Sequence, residues 1–222
     1  SYEQAKACLE ANFPFPADNR IHTATSIKKA LEAGYVFEDL AASPPSTSSP
    51  SIAAGLSFRP VQLTKEVDDL ATAPAATTPA GTNWRAFHDG ITNVFIKARD
   101  AHLAYSAHCF RQFQFDQGLF LAHMTKQDSE GYRIVVIGVN NKFSELSSLN
   151  FDPGNCEIDT IGGVPAEQYI QTWAEQYADY SKDANVRFGR AFSTPAFDPD
   201  EDGSTFSGSF ATRGSLPPEA SL

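Results

Sequence analysis

Trp84-Arg85-Ala86-Phe87-His88-Asp89-Gly90-Ile91-Thr92-Asn93-Val94-Phe95-Ile96-Lys97-Ala98-Arg99-Asp100-Ala101-His102 is the stretch from which the fold is read. Trp84, Phe87, Ile91, Phe95 and Ala98 recur at three- and four-residue spacing, which makes one apolar stripe on a helix. Thr82 or Asn83 can cap that helix by accepting a bond from a free backbone N–H. The helix is expected to end around Arg99-Asp100, and its stripe reads as core packing. From His102 the period falls to about two: Leu103, Tyr105 and Ala107 alternate with polar neighbours, and so do Phe113, Phe115 and Gln117. A helix running into extended chain at a histidine is therefore the organising unit.

Working outward, Leu119–His123 and Tyr132–Val139 read as strands, with Gly131 marking the turn before the second. Cys156–Ile161 reads as one further strand, Gly162-Gly163 as a turn, and Pro165 as the opening of a helix through about Tyr177. Strand, tight glycine turn and helix in that order is the pattern of a PDZ-type peptide-binding module. Towards the amino terminus, Ala5, Cys8 and Leu9 share a helical face that Phe13-Pro14-Phe15-Pro16 breaks. A second helix is expected from about Thr25 to Ala33, stopped by Gly34. Tyr35-Val36-Phe37 reads as a short extended or packing segment. Ser43–Pro50 and Ala71–Pro79 read as exposed loops rich in Pro, Ser, Thr and Ala. The tail after Asn185 reads as irregular. The class is α+β: 1–82 a helical region with Pro/Ser-rich loops, 83–112 the helix–strand unit carrying the histidine, 113–185 PDZ-like and β-rich, and 186–222 an irregular tail.

Composition limits the partners. The 222 residues are 41% apolar with 17 Phe, enough to bury a core. Lys and Arg total 17 against 27 Asp and Glu, a formal net charge of −10. Such a surface repels phosphate backbones, so neither nucleic acid nor an anionic membrane is an expected partner. No run approaches the roughly 18 apolar residues of a membrane span. The start, Ser1-Tyr2-Glu3-Gln4, lacks the basic and apolar regions of a signal peptide. Three cysteines, Cys8, Cys109 and Cys156, decide little by number, and no N-x-S/T acceptor is present.

Among residues that carry chemistry, His102 comes first. Held at a junction between helix and extended chain, it can act as general base, because an imidazole titrates near neutrality. It would need a hydroxyl or thiol partner and an orienting carboxylate. No G-x-S-x-G elbow occurs in the chain. Asp100, His102 and His108 match no compact zinc spacing. Asp198-Pro199-Asp200-Glu201-Asp202-Gly203 opens like a calcium loop, but Ser209 stands where the closing glutamate belongs, and a solvated acidic loop is the expected reading. Cys109 and Cys156 fall in expected strands among apolar residues, where a thiol is inert. No metal or cofactor is called for.

A family resemblance enters on these residues. Phe87-His88-Asp89-Gly90-Ile91-Thr92-Asn93-Val94-Phe95 followed by Lys97-Ala98-Arg99-Asp100-Ala101-His102-Leu103-Ala104-Tyr105 resembles the histidine-bearing helix of fungal secreted peptidases. These are similar to the chlamydial protease-like activity factor, a branch of the tail-specific (C-terminal processing) serine protease family. Cys8-Leu9 with Pro14-Phe15, and Phe37-Glu38-Asp39-Leu40 before Pro44-Pro45, resemble that group's helical amino-terminal region. Phe110-Arg111, Phe113–Leu121 and Cys156–Ala166 resemble its PDZ-like domain, and Ser181-Lys182-Asp183 with Val186-Arg187-Phe188 the segment after it. The resemblance implies a serine nucleophile, a histidine base and a glutamate orienter. Only the histidine carries over, to His102. The serine and the glutamate belong to a carboxyl-terminal half, expected as a separate fragment of the same precursor that stays associated with this one. Secretion, a peptide or protein substrate and a chain inactive by itself are implied with it. The alternatives are a non-catalytic PDZ-like peptide-binding module and a zymogen-regulatory piece.

Overall fold

Four helices build the first part of the chain among the described residues: α1 (Ala17–Gly34), α2 (Glu38–Ala42), α3 (Leu63–Thr72) and α4 (Trp84–Lys97). The structure is a computed structural model that describes residues 4, 7, 15–46, 56, 58–74, 83–107, 115–126, 130–139, 156–178, 180–195, 205, 206 and 208–213. The chain divides into two compact units, one of Ser1–Arg111 with Tyr180–Asp183, the other of Gln112–Asp179 with Ala184–Leu222.

In the first unit the apolar stripe of α4 is the core. Phe87, Ile91 and Phe95 are buried there against Ala24 and Leu31 of α1, Leu63 and Val67 of α3, and Leu103. Asn83 caps α4 by accepting the Ala86 N–H at 2.7 Å, which satisfies one of the free donors of the first turn. α1 starts earlier than the expected Thr25 because Pro16 precedes a good helix start, and its last turn closes as Tyr35 donates to the Leu31 carbonyl. α3 is a helix that the sequence reading passed over, although Leu63, Val67 and Ala71 lie at four-residue intervals and all are buried. Beyond α4, Leu103 and Ala107 are buried while Ala104 and Ser106 are exposed, so the alternation is real. The expected strand is nevertheless missing: residues 103–107 take no regular structure and have no ladder partner among the described residues.

The second unit opens with β1 (Phe115–Asp116), followed by a three-stranded antiparallel sheet of β2 (Leu119–Thr125), β3 (Tyr132–Val139) and β4 (Cys156–Glu157), with β3 in the middle. The expected strand Cys156–Ile161 is divided between two sheets. After Ile158 donates to the Ile134 carbonyl the chain leaves β3, and β5 (Thr160–Ile161) pairs instead with β6 (Val164–Pro165). Gly162 and Gly163, at φ of 58° and 82°, make the two-residue turn between them, a geometry that glycine adopts without steric penalty. α5 (Ala166–Tyr177) follows, its first N–H bonded to the Asp159 carbonyl.

Among the described residues, the segment after Asn185 is not irregular as expected. Ala184–Arg190 forms α6, and the chain goes on through β7 (Thr194–Pro195), β8 (Thr205–Phe206) and β9 (Thr212–Arg213), the last pairing with β1. Phe210 is fully buried against Trp173 in the same core as Leu121, Ile134 and Ile170. That return requires Gly208, where a Cβ would run into the Ala191 carbonyl oxygen. The calcium-like stretch Asp198–Gly203, Cys8, Cys109 and His108 lie outside the described residues, as does the amino-terminal helix apart from Gln4 and Ala7, both helical.

Arg187 is fully buried and its guanidinium bonds Glu175 of α5. Removing only the acid takes a charged partner from a guanidinium inside the core, which is destabilising. Glu175→Ala is therefore expected to lower the stability of the second unit by about 3 kcal/mol. Arg187→Met combined with Glu175→Leu should cost less than Glu175→Ala alone. Urea unfolding read by Trp173 fluorescence, with Trp84→Phe as background, measures both; equal losses would contradict this account. Gly208→Ala should destabilise the same unit in the same assay.

Candidate functional site

α4 does not end on a glycine. Arg99, at φ 52°, takes the left-handed position that closes the helix, with its N–H bonded to the Ile96 carbonyl at 3.1 Å. A non-glycine residue there is strained by on the order of 1 kcal/mol. Burial holds it in place: Arg99 is 3% exposed, and the Lys182 ammonium donates to its carbonyl at 2.6 Å.

The next residue carries the site. The Asp100 carboxylate takes the backbone N–H of His102 on Oδ1 at 2.9 Å, an aspartate turn two residues long. The same oxygen lies 3.0 Å from His102 Nδ1, and Oδ2 accepts the Tyr35 hydroxyl at 3.0 Å. Partial burial pushes the Asp100 carboxyl up, but the bonds from the His102 backbone, the His102 ring and Tyr35, with the Lys182 charge, outweigh it and hold it below the usual range. Burial, with the Asp100 bond and charge, pushes the Tyr35 hydroxyl up to about 12, so it stays a donor. An ionised carboxylate on Nδ1 favours the tautomer that carries its proton there and leaves Nε2 as the basic nitrogen. The His102 side chain is 91% exposed.

Beside this turn lies a cleft of about 300 Å³ within the first unit. Tyr35, Phe37, Leu40 and Phe58 line it, with Pro44-Pro45, the cations Arg59 and Lys182, and the Asp100–His102 turn. The Val61 N–H bond to the Ala41 carbonyl ties 58–62 to α2, and the Leu56–Asp183 bridge brings in Lys182. Pro44 and Pro45, read from sequence as part of an exposed loop, are thus walls of the cleft.

The other described histidines differ. His88 is 6% exposed among Phe15, Trp84, Phe87 and Tyr105, with Nδ1 bonded to the Tyr105 hydroxyl. Burial pulls it down to about 4, so it is neutral at pH 7 and a poor base. His123 stacks between Tyr132 and Phe192 in the second unit, and burial lowers it too. His22 lies exposed on α1. Of the candidate metal set, Asp100 and His102 do meet; among the described residues no three His, Cys, Asp or Glu side chains gather as metal ligands. Cys156 is a free, half-buried thiol in β4, packed against the apolar core of the second unit.

Sequence reasoning picked out His102 but not its carboxylate partner, nor Tyr35 and Lys182. The signal for Asp100 was its position two residues before the histidine, the spacing of an aspartate turn. Nothing local signals Tyr35 or Lys182, which come from 65 and 83 residues away along the chain. No protein-family model, curated protein or solved structure matches this chain.

His88 and its neighbour make a pH prediction. Burial raises Asp89 to about 6 although Arg85 opposes it, while His88 falls to about 4. Between those values the unfolded chain holds more protons on His88, so that group makes stability rise with pH. The folded chain holds more on Asp89, so that group makes it fall. The two slopes offset in the parent. Asp89→Asn is expected to make first-unit stability climb from pH 4 to 6 relative to the parent, and His88→Gln to make it drop. Urea midpoints at the two pH values, read by Trp84 in a Trp173→Phe background, test this; identical slopes in all three proteins would refute it.

Proposed function

We infer that this chain supplies the acid–base half of a serine-type peptidase, with His102 as general base and Asp100 as the carboxylate that orients it. The observation that carries the reading is the Asp100 Oδ1 contact with His102 Nδ1 at 3.0 Å on a turn that is itself held by Tyr35. The Nε2 lone pair would take the proton of a serine hydroxyl as it attacks a peptide carbonyl, then return it to the leaving amine. Asp100 would steady the imidazolium that forms between these steps. The nucleophile is assigned to an associated polypeptide, as the resemblance to the tail-specific proteases implies, and secretion belongs to the same reading.

Solvent matters to this division of labour. On an open surface a carboxylate–imidazole contact contributes under about 1 kcal/mol. A partner that covers the ring would exclude water and strengthen it. The reading therefore expects an inactive isolated chain and an active assembly.

The order of β4, the Gly162-Gly163 turn and α5 supports a PDZ-like reading of the second unit. Its use as a peptide-binding edge meets an obstacle. The outer edge of β2 is taken at Leu121, whose carbonyl accepts the Ser193 N–H at 2.8 Å. A peptide adding a strand there must first displace Ser193. The catalytic reading is preferred for that reason.

Fluorophosphonate labelling of natively purified material tests the proposal. A co-purifying polypeptide should take the label while this chain does not. His102→Ala should abolish labelling, and Asp100→Asn should slow it by on the order of 10³-fold, since the amide would favour the wrong tautomer. Absence of any labelled partner, or full labelling with His102→Ala, would remove the peptidase reading.

A further inference from the structure

We propose that the cleft beside Asp100 and His102 is a subsite for one bulky apolar side chain, aromatic or branched aliphatic, of the peptide on which His102 acts. The placement of the substrate rests on the reading of His102 as base; the binding itself is measured without it.

Three features of the first unit define the occupant. The first is size. About 300 Å³ is at the small end of ligand cavities, room for one large side chain and adjoining backbone and not for a dinucleotide or a haem. The second is the state of the walls. Phe37 and Leu40 are 48% and 52% exposed, large apolar side chains kept in water at the cleft. An apolar group entering between them, Tyr35 and Phe58 removes both surfaces from solvent, which is the main driving force for such binding. The walls are also set in advance: prolines at 44 and 45 fix their own backbone, and the Tyr35 hydroxyl is tied to Asp100.

The third feature is the disposition of charge. Among the described residues that line the cleft, Asp100 is the one carboxylate, beside the cations Arg59, Arg99 and Lys182, and its two oxygens already take the Tyr35 hydroxyl, the His102 N–H and the His102 ring. A lysine or arginine side chain entering the cleft would give up its hydration and find that acceptor occupied. Because Asp100 and His102 belong to the same lining, a side chain seated there brings its own backbone beside the imidazole. That is the geometry a side-chain subsite needs to position a scissile bond.

The test uses the whole 222-residue chain, labelled for 15N and aromatic 13C NMR, titrated with the methylamides of N-acetyl-phenylalanine, -leucine and -lysine. The phenylalanine and leucine probes should give saturable shifts at Tyr35, Leu40, Phe58 and His102, with lysine at least about fivefold weaker. Leu40→Glu and Phe37→Ser alter half-exposed side chains and should weaken the phenylalanine probe by a similar factor. Equal binding of all three probes, shifts confined to the second unit, no shifts, or unchanged binding by Leu40→Glu would each overturn the proposal. The peptidase reading fails separately. Saturable phenylalanine binding without a fluorophosphonate-labelled partner keeps the cleft as an apolar side-chain site and removes the catalysis. Labelling without binding does the reverse.

Discussion

One carboxylate ties together what the first unit does. Asp100 receives the end of α4 through the His102 N–H, the His102 ring through Nδ1, and the end of α1 through the Tyr35 hydroxyl. The two bonds from His102 shape the turn itself, and the Tyr35 hydroxyl ties that turn to the end of α1. The residue before it, Arg99, sits in a conformation that glycine would adopt more easily. A strained residue survives only where its surroundings over-determine it. Here they do so through its burial and through Lys182, which belongs to Tyr180–Asp183, a segment that returns to this unit after Gln112–Asp179.

That arrangement explains why two histidines at the two ends of one stretch have opposite chemistry. His88 lies inside the aromatic cluster of the core, where burial disfavours the charged form, and it is held neutral. His102 follows the helix, outside the core, with a carboxylate at one nitrogen and solvent around the rest of the ring. The sequence places both in the same motif-like stretch and offers no way to rank them except by phase. His88 lies next to Phe87 and one turn before Ile91, on the side of the stripe. His102 comes after the periodicity has stopped.

Periodicity also decides how much of the rest could be read. α4, β3 and the Gly162-Gly163 turn are set by neighbours within a few residues, and all three are where the sequence puts them. α3 was legible in principle, since Leu63, Val67 and Ala71 fall on one face, but its Thr and Asp content resembles a loop. The break at Ile158-Asp159 was not legible, because it depends on which partner strand each half meets. Nor was the core position of Phe210, which follows from the close approach of Gly208 to the Ala191 backbone. Tyr35 and Lys182 belong to this second kind: a site made from distant chain segments leaves no local pattern.

The orienting carboxylate is where the proposed mechanism and the family resemblance part. The resemblance implies a glutamate from another part of the precursor, while here Asp100 already lies on Nδ1 of His102. An imidazole has two ring nitrogens, and a general base needs one of them free for the nucleophile. A second carboxylate could reach Nδ1 only by displacing Asp100, whose ionised form the Tyr35 hydroxyl, the His102 N–H and the Lys182 charge all favour. If it bound Nε2 instead, it would occupy the nitrogen that catalysis requires. On the peptidase reading the role therefore falls to Asp100, and the remaining requirement, a nucleophile and the exclusion of water, to whatever surface closes over the exposed ring.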